Sequence, residues 1–431
     1  MRRAVAAALL TALSACRPRA RRTSDSGTVS ITPGASADEA TGAGLESALP
    51  VRAAEGSQPR WRYLARGPVP RGRERWRVDL TPRQGTGEPA TDGRTVYLTA
   101  ARVEPEGTID GEVFAIDLHE GTIRWHTPVA GLHGEPVELV DGTVLVDTIP
   151  HCATLGAATP GVLMRPCAEG APGGVVGLDA VTGRVRFRTA PSSDTLRARW
   201  TAAPVGARVY IHDGPLALRP LTLPTGALGA RLNTRGAVLH ATAVGADLLY
   251  TALSPLGTTR LVRAAVGATR PVWERPLPLR THCPPSVVGA LVILPAFQSA
   301  AVTGAARALH ATDASDAWTA TTVPLRVGSC GLVEGPCLHQ VIDGAIERVG
   351  VGDGRSRGRT ALTFEPTHDV ASLVDGVLYL SARGRLVGVR VSDGATAVSV
   401  DTGAEIAEGA VLWGGRGAVV TRDPGLVVGF D

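Results

Sequence analysis

The stretch that decides the fold is EPATDGRTVYL at residues 88–98, followed by GEVFAID at residues 111–117 and EGTIRW at residues 120–125. Each segment is rich in β-branched and aromatic residues, which is typical of a short strand. The Asp-Gly pair at residues 92–93 and the Gly at position 121 are typical of tight turns. Together these segments predict one antiparallel unit of short strands.

The same pattern recurs along the rest of the chain. A second copy reads PVELVDGTVLV at residues 136–146 and GVVGLDAVTGRVRF at residues 174–187, and another reads LVDGVLYL at residues 373–380. With weaker copies included, the β-rich run recurs near positions 96, 144, 209, 249, 292, 337, 378 and 419. Most of these gaps are 40–48 residues, a period that is typical of four-stranded propeller blades. The sequence therefore predicts an all-β fold, an eight-bladed β-propeller of four-stranded antiparallel blades.

The two ends of the repeat region indicate how the ring closes. The last copy stops at GFD, residues 429–431, which matches AID at residues 115–117, so it lacks a final strand. ERWRVD at residues 74–79 resembles that missing strand. We expect this amino-terminal strand to complete the last blade and leave no open seam. Two unrelated β-sandwiches are the rival architecture, but they would make the regular spacing accidental.

The amino terminus carries an export pattern. Two Arg residues at positions 2 and 3 precede an apolar run at residues 4–13, which is too short to span a bilayer. The run ends in LSAC at residues 13–16, which resembles the lipobox of bacterial lipoproteins. The resemblance implies that residues 1–15 are a signal peptide and that Cys16 is lipidated. With Arg17 after the cysteine, it also implies an outer-membrane location facing the periplasm. An ordinary secretory signal is the alternative.

Residues 16–75 are rich in Arg, Ser, Thr, Ala, Gly and Pro, and their isolated apolar residues follow no strand or helix period. We predict a disordered tether here and assign the propeller to residues 76–431. The formal charge of +4 arises near this end, because residues 16–77 hold 12 Arg against 6 acidic residues. Residues 78–431 hold 30 Arg against 34 acidic residues. The charge therefore does not indicate a nucleic-acid partner.

The succession of an Asp, a Gly-containing turn and a Trp, as at Asp117, Gly121 and Trp125, resembles the quinoprotein-type (PQQ-like) propeller repeat. With the lipobox, the whole chain resembles the BamB-like lipoproteins of the outer-membrane β-barrel assembly machinery. That resemblance implies a non-enzymatic scaffold that is held to the membrane through the lipid on Cys16. It also implies partners among envelope proteins, including barrel-assembly components. We expect the long insertion at residues 148–172 to contact them.

Quinoprotein dehydrogenases share this repeat, and resemblance to them would imply a cofactor clamped between a Trp and a disulfide of adjacent cysteines, with a bound Ca²⁺. The sequence has no Cys-Cys pair and a single Asn, Asn233. Trp125, Trp273 and Trp318 stand at repeat positions that fit blade packing. GVGDG at residues 350–354 lacks the strand-to-helix context of a phosphate site. We expect no catalytic residue and no cofactor, and a secreted ligand-binding or sensor propeller is the alternative function.

Five cysteines follow Cys16, and export would favour their pairing. Cys152 and Cys167 lie within the long insertion and are expected to form a disulfide. Cys330 and Cys337 flank six residues and are expected to form another across a hairpin. Cys283 is then left over, or it takes one of those two as its partner.

A metal site is the other use for these cysteines. His282 precedes Cys283, and His339 follows Cys337 at two residues. These spacings fit no finger-like zinc pattern, so we expect no metal site.

Overall fold

The computed structural model describes residues 67–85, 88–103, 109–132, 137–148, 151–153, 164–166, 174–189, 203–205, 208–213, 216–223, 225–254, 257–268, 270–277, 283–298, 303–320, 331–367, 371–422 and 424–431. The predicted signal peptide, Cys16 and the tether up to residue 66 lie outside these ranges. Among the described residues, no helix is long and apolar enough to cross a membrane.

The first half of the described chain forms one edge strand and four blades. The edge strand is β1 (Glu74–Asp79). Blade one contains β2 (Gln84–Gly85), β3 (Ala90–Thr91), β4 (Thr95–Val103), β5 (Ile109–Asp117) and β6 (Ile123–Pro128). Blade two contains β7 (Glu138–Val140), β8 (Thr143–Thr148), the added hairpin β9 (His151–Ala153) and β10 (Met164–Pro166), β11 (Gly174–Asp179) and β12 (Val185–Arg188). Blade three contains β13 (Ala203–Val205), β14 (Arg208–His212), β15 (Ala217–Thr222), β16 (Ala227–Leu228) and β17 (Leu232–Asn233). Blade four contains β18 (Ala237–Val244), β19 (Asp247–Leu253), β20 (Thr259–Ala265) and β21 (Trp273–Leu277).

The second half forms four further blades. Blade five contains β22 (Ser286–Val288), β23 (Leu291–Leu294), the added hairpin β24 (Phe297–Gln298) and β25 (Thr303–Gly304), β26 (Arg307–His310) and β27 (Asp316–Thr319). Blade six contains β28 (Leu332–Glu334), β29 (Cys337–Ile342), β30 (Ala345–Gly350) and β31 (Ser356–Ala361). Blade seven contains β32 (Ala371–Val374), β33 (Val377–Ala382), β34 (Arg385–Arg390) and β35 (Thr396–Asp401). Blade eight contains β36 (Ile406–Trp413), β37 (Arg416–Thr421) and β38 (Leu426–Phe430).

Every blade is an antiparallel sheet whose first strand lies innermost. The first strands of neighbouring blades contact each other, as β28 contacts β32 and β32 contacts β36. The last strands alternate exposed and half-buried residues, as in β6, because only one face is covered. The eight predicted repeat positions all fall in the second strand of a blade. The prediction of an eight-bladed, four-stranded propeller is therefore confirmed.

The ring closes through its amino-terminal strand, as predicted. β1 pairs with β38 in antiparallel register, with Trp76 opposite Gly429 and Val78 opposite Val427. β1 is thus the outermost strand of blade eight, in the order β1-β38-β37-β36. The pairing covers the edge that β38 would otherwise expose to solvent.

Residues 67–75, which composition assigns to the tether, belong to the ring. The backbones of Arg73 and Asp431 exchange hydrogen bonds of 3.1 and 3.0 Å, which extends the β1–β38 pairing. Gly67 and Gly72 lie so close to Gly414 and Val398, respectively, that an added Cβ would come within 2.7 and 2.6 Å of them. The tether assignment is therefore wrong for these residues, because glycine contacts on a facing turn leave no hydrophobic pattern in the sequence.

Antiparallel connectivity gives the ring two different ends. The turn end carries the short connections between first and second strands and between third and fourth strands of each blade. The Ala180 N–H donates to the Gly142 carbonyl at 3.0 Å, which joins these two connections within blade two. The loop end carries the connections between second and third strands and those between blades.

The core lies between blades. One buried cluster joins Tyr97 and Val113 of blade one to Val144 and Val176 of blade two. Another joins Tyr379 and other residues of blade seven to residues of blade eight. Each blade therefore buries both faces of its inner strands against its neighbours, which explains their continuous apolar runs.

Candidate functional site

A five-residue turn recurs at the turn end, between the third and fourth strands of successive blades. In blade one the N–H of Gly121 donates to the carbonyl of Asp117 at 2.9 Å, and in blade two Gly183 donates to Asp179 at 2.8 Å. Both glycines have a φ of +71°, a conformation that a Cβ disfavours. Equivalent bonds join Gly226 to Thr222, Ala314 to His310, Gly354 to Gly350 and Gly394 to Arg390.

The aspartate that begins the turn in blade two is a structural anion. Its Oδ1 accepts the backbone N–H groups of Val181 and Thr182 at 3.0 and 2.8 Å, and Arg186 donates to its Oδ2 at 2.5 Å. Burial acts to raise the pKa of Asp179, but these hydrogen bonds outweigh it and lower that pKa to about 2. The carboxylate is therefore charged at neutral pH and holds its turn together.

A Trp in the last strand of several blades reaches the turn of the next blade. The Trp125 Nε1–H donates to the carbonyl of Ala180 at 3.0 Å. Trp273 donates to Ala311 at 2.9 Å, and Trp318 donates to Val351 at 2.6 Å. The expectation that these three Trp residues pack blades together is confirmed, since each indole N–H is already bonded to a neighbouring blade.

Trp76 belongs to the same series, although its contact with the next blade was not predicted from the sequence. Its Nε1–H donates to the carbonyl of Leu118 at 3.1 Å, and its ring covers Gly121 of blade one. The available signal was its position as the third residue of β1, matching Trp125 as the third residue of β6. Trp76 therefore links the closing strand to the first blade.

The loop end carries the two added hairpins. In the first, β9 pairs with β10, with Cys152 opposite Arg165. This hairpin is part of the insertion that the sequence singled out at residues 148–172. The predicted Cys152–Cys167 disulfide lies outside the described side chains. The second hairpin, β24–β25, was missed, because strands of two residues leave no periodic pattern.

A buried amide anchors the second hairpin. Gln340 of blade six is fully buried, and its Nε2 donates to the carbonyl of Ala296 at 2.9 Å. Its Oε1 accepts the N–H of Ala296 at 3.2 Å. Because both polar atoms of the amide are satisfied, this buried contact adds stability and orientation. Blade six thus fixes the backbone from which β24 begins in blade five.

Blade one carries an ionic cluster at the loop end. Arg83 Nη2 donates to Asp110 Oδ2 at 2.9 Å and to Glu112 Oε1 at 2.7 Å. The His126 ring stacks on Phe114 at 5.8 Å between ring centroids, and its Nδ1 lies 3.2 Å from Glu112 Oε2. Arg83 is shared by both carboxylates, so the cluster forms a fixed pattern of charge on the surface of the blade.

The state of Cys337 contradicts one of the predicted disulfides. Cys337 is a free, half-buried thiol, so the predicted Cys330–Cys337 disulfide is wrong. The hairpin register explains why, because Glu334 is the residue opposite Cys337 and the chain runs away from it through Leu332. Cys330 itself lies outside the described residues. Cys283 is buried, and it is not free.

His339 is a core residue. It is only 5% exposed, and burial, aided by the nearby Arg348 charge, lowers its pKa to about 4. Among the described side chains, no group of three or more His, Cys, Asp or Glu residues could hold a metal ion. His282, the other candidate beside a cysteine, lies outside the described residues.

The chain is similar to known proteins both in part of its sequence and in its fold. The model of a family described as outer membrane protein assembly factor BamB matches residues 66–237. No curated protein matches the chain. Among solved structures, BamB from Moraxella catarrhalis shares 13% sequence identity at a TM-score of 0.55, covering 83% of this chain and 97% of its own.

Other solved structures share the ring with different roles. The computationally designed Ika8 protein shares 12% identity at a TM-score of 0.56, covering 84% of this chain and 98% of its own. A europium-containing methanol dehydrogenase shares 10% identity at a TM-score of 0.56, covering 83% of this chain and 87% of its own. Likeness at such identities shows the fold alone. Over residues 66–237 the chain is therefore similar to the BamB family, whose model matches there, and its repeats form the same kind of β-propeller.

Proposed function

We propose that this protein is a lipid-anchored, non-enzymatic scaffold of the bacterial cell envelope that binds partner proteins in outer-membrane protein assembly. The observation that carries this proposal is the match of residues 66–237 to the BamB family model. The lipobox-like LSAC at residues 13–16 supports the anchor through Cys16. The proposed location is the outer membrane, facing the periplasm.

The loop end supports a binding role. It carries the hairpins β9–β10 and β24–β25, which the other blades lack among the described residues. Gln340 holds the base of β24–β25 from the neighbouring blade. Short strands on a rigid ring are suited to partner binding, because their backbone edges can pair with an extended segment of another protein.

A non-enzymatic role agrees with how the ionisable groups are used. Asp179 is bound into its turn, and Arg83 is shared between Asp110 and Glu112. His339 is buried, with a pKa of about 4. These groups thus serve the fold, whereas a general base needs a pKa near the working pH.

The partner role is tested by site-specific crosslinking in cells that contain the native envelope. A photo-crosslinking residue replaces Gln298 in β24 at the loop end. A matched control replaces Ser356 in the outer strand of blade six. We expect barrel-assembly components to be captured from position 298 and not from position 356. Equal capture from both positions, or capture of no envelope protein from position 298, would contradict the proposal.

The anchor is tested by Cys16→Ser. We expect this variant to move from the membrane fraction to the soluble fraction, because a lipid on Cys16 would be the attachment. A variant that stays in the membrane fraction after a salt wash would show that the lipobox interpretation is wrong.

A further inference from the structure

The chain enters the ring at the turn end. Pro68 packs on Gly415 and Gly67 lies against Gly414, in the turn that joins β36 and β37. From there residues 69–73 lead into β1 at the end where Glu74 pairs with Phe430. The 66 residues that precede Gly67, including Cys16, are therefore joined to the ring at its turn end.

Exposed apolar side chains are concentrated at this same end. Single exposed aliphatic residues are common on protein surfaces, but here their distribution is one-sided. Leu216, which is 47% exposed, lies at the loop end between β14 and β15. The other exposed large hydrophobics of the described chain lie at or beside the third-to-fourth-strand turns of blades one, two and four: Ile123 at 46%, Val181 at 84%, Val185 at 41%, Val266 at 36% and Val272 at 53%.

Basic side chains share this arc. The described exposed Arg residues at the turn end of blades one to four that form no ion pair with a described acid are Arg94, Arg184, Arg208 and Arg270. The exposed acidic residues of this arc that form no ion pair with a described base are Glu120 and Asp141. Within the apolar arc, the unpaired Arg residues therefore outnumber the unpaired acidic residues.

We propose that the turn end of blades one to four rests on an anionic bilayer surface. Arg side chains would bind lipid phosphates, and the Val and Ile side chains would enter the boundary between headgroups and acyl chains. The proposal rests on the envelope role proposed above, and it orients the ring so that the loop end with its hairpins faces away from the membrane.

The test uses the full-length chain carrying Cys16→Ser, so that binding does not depend on a lipid. Its flotation is measured with vesicles of phosphatidylethanolamine and phosphatidylglycerol, and with vesicles of phosphatidylcholine. Val181→Ser with Val272→Ser removes two of the most exposed apolar side chains of the arc. Leu216→Ser is the matched control at the loop end. Every variant keeps the same basic amino-terminal segment, whose own attraction to lipid is therefore constant.

We expect the Cys16→Ser protein to bind the anionic vesicles and not the neutral ones. The Val181→Ser, Val272→Ser variant should bind at least about tenfold more weakly, because it forfeits apolar surface that leaves water at the bilayer. Leu216→Ser should bind as the parent does. Circular dichroism should show the same strand signal in all variants, because the changed side chains are exposed.

Two results would overturn the proposal. The first is a parent protein that does not bind anionic vesicles. The second is a double Ser variant that binds anionic vesicles as the parent does. If this variant also loses a crosslinked envelope protein, the arc belongs to a protein partner. Neither result depends on the fractionation of Cys16→Ser, so the anchor and the surface are judged separately.

Discussion

The indole N–H of Trp125 in blade one lies 3.0 Å from the carbonyl oxygen of Ala180 in blade two and donates a hydrogen bond to it. The indole also covers Gly183, where a Cβ would lie 2.6 Å from the ring. Thr127 Oγ1 donates to the carbonyl of Gly183 at 2.8 Å on the same turn. Neighbouring blades are thus joined by a specific polar contact as well as by apolar packing.

Trp125→Phe should lower the free energy of unfolding by about 1 kcal/mol, because the Ala180 carbonyl loses one of its two donors and keeps only the Tyr97 hydroxyl at 3.2 Å, while most of the apolar contact is kept. Urea denaturation followed by circular dichroism measures this change. Trp413→Phe is the control, since the Trp413 indole packs against Gly93 and bonds to no described acceptor. If both variants lose the same free energy of unfolding, the loss comes from the smaller ring and the Trp125 hydrogen bond contributes nothing to stability.

Gly183→Ala should destabilise the ring more than Gly142→Ala does. Both glycines have positive φ, +71° and +66°, so each alanine costs about 1 kcal/mol in backbone strain. Only at Gly183 does the new Cβ also meet Trp125, whereas Gly142 has nothing within 4 Å. The difference between the thermal unfolding midpoints of the two variants measures the effect of the contact with Trp125, because the backbone strain is common to both. Identical midpoints would mean that the indole moves away freely.

Ala314→Gly should stabilise the protein by about 0.5 to 1 kcal/mol. Ala314 has a φ of +59° at the position that glycine holds in the equivalent turns, so it carries the strain of a left-handed residue. Ala311→Gly in the same turn has no such strain to relieve and should destabilise it by about 0.5 to 1 kcal/mol. Calorimetric midpoints that shift the same way in both variants would contradict this account.

Asp179→Asn should cost stability at neutral pH and cost little near pH 2. The pKa of the folded-state carboxyl is lowered to about 2, so its contribution is present above the unfolded pKa of about 3.9 and is lost as pH falls through the folded value. Chemical denaturation of the parent and the variant should therefore converge between about pH 4 and pH 2. Asp141→Asn, an exposed turn carboxylate in the same blade, is the control. A difference that persists at the lowest pH would indicate a cause other than charge.

We expect Cys283 to form a disulfide with Cys330. Cys283 is not free, and Cys337 is, which leaves Cys330 as the partner in the alternative pairing. Cys283 precedes β22 and Cys330 precedes β28, so both stand before the innermost strand of neighbouring blades. Mass spectrometry of a non-reducing digest should find the two peptides linked and Cys337 alkylated. A Cys283 peptide that is alkylated before reduction would contradict this pairing.

The repeat made the ring predictable from the sequence. Each second strand was located because it is buried between two blades and is therefore mostly apolar. The closing strand was found because β1 repeats the outer-strand pattern of β6, including its Trp. In the blades that keep this repeat, the local sequence pattern and the packing of the ring specify the same strands.

What the sequence did not reveal depends on contacts without a periodic signature. The β24–β25 hairpin is positioned by Gln340, a polar residue from another blade. The contact of Gly67 with Gly414 is specified by the absence of side chains. The free thiol of Cys337 follows from a hairpin register that cysteine spacing alone does not define.

The pairing of β1 with β38 ties the order of synthesis to the order of folding. β1, the first described strand, pairs with β38, the last one, so blade eight stays incomplete until the end of the chain is available. This contact closes a loop through all the other blades, and its entropy cost falls at the end of folding. Residues 67–73, which lead into β1, are therefore held against the ring only when blade eight is finished, and a chain that stops before β38 would leave β1 without a partner strand.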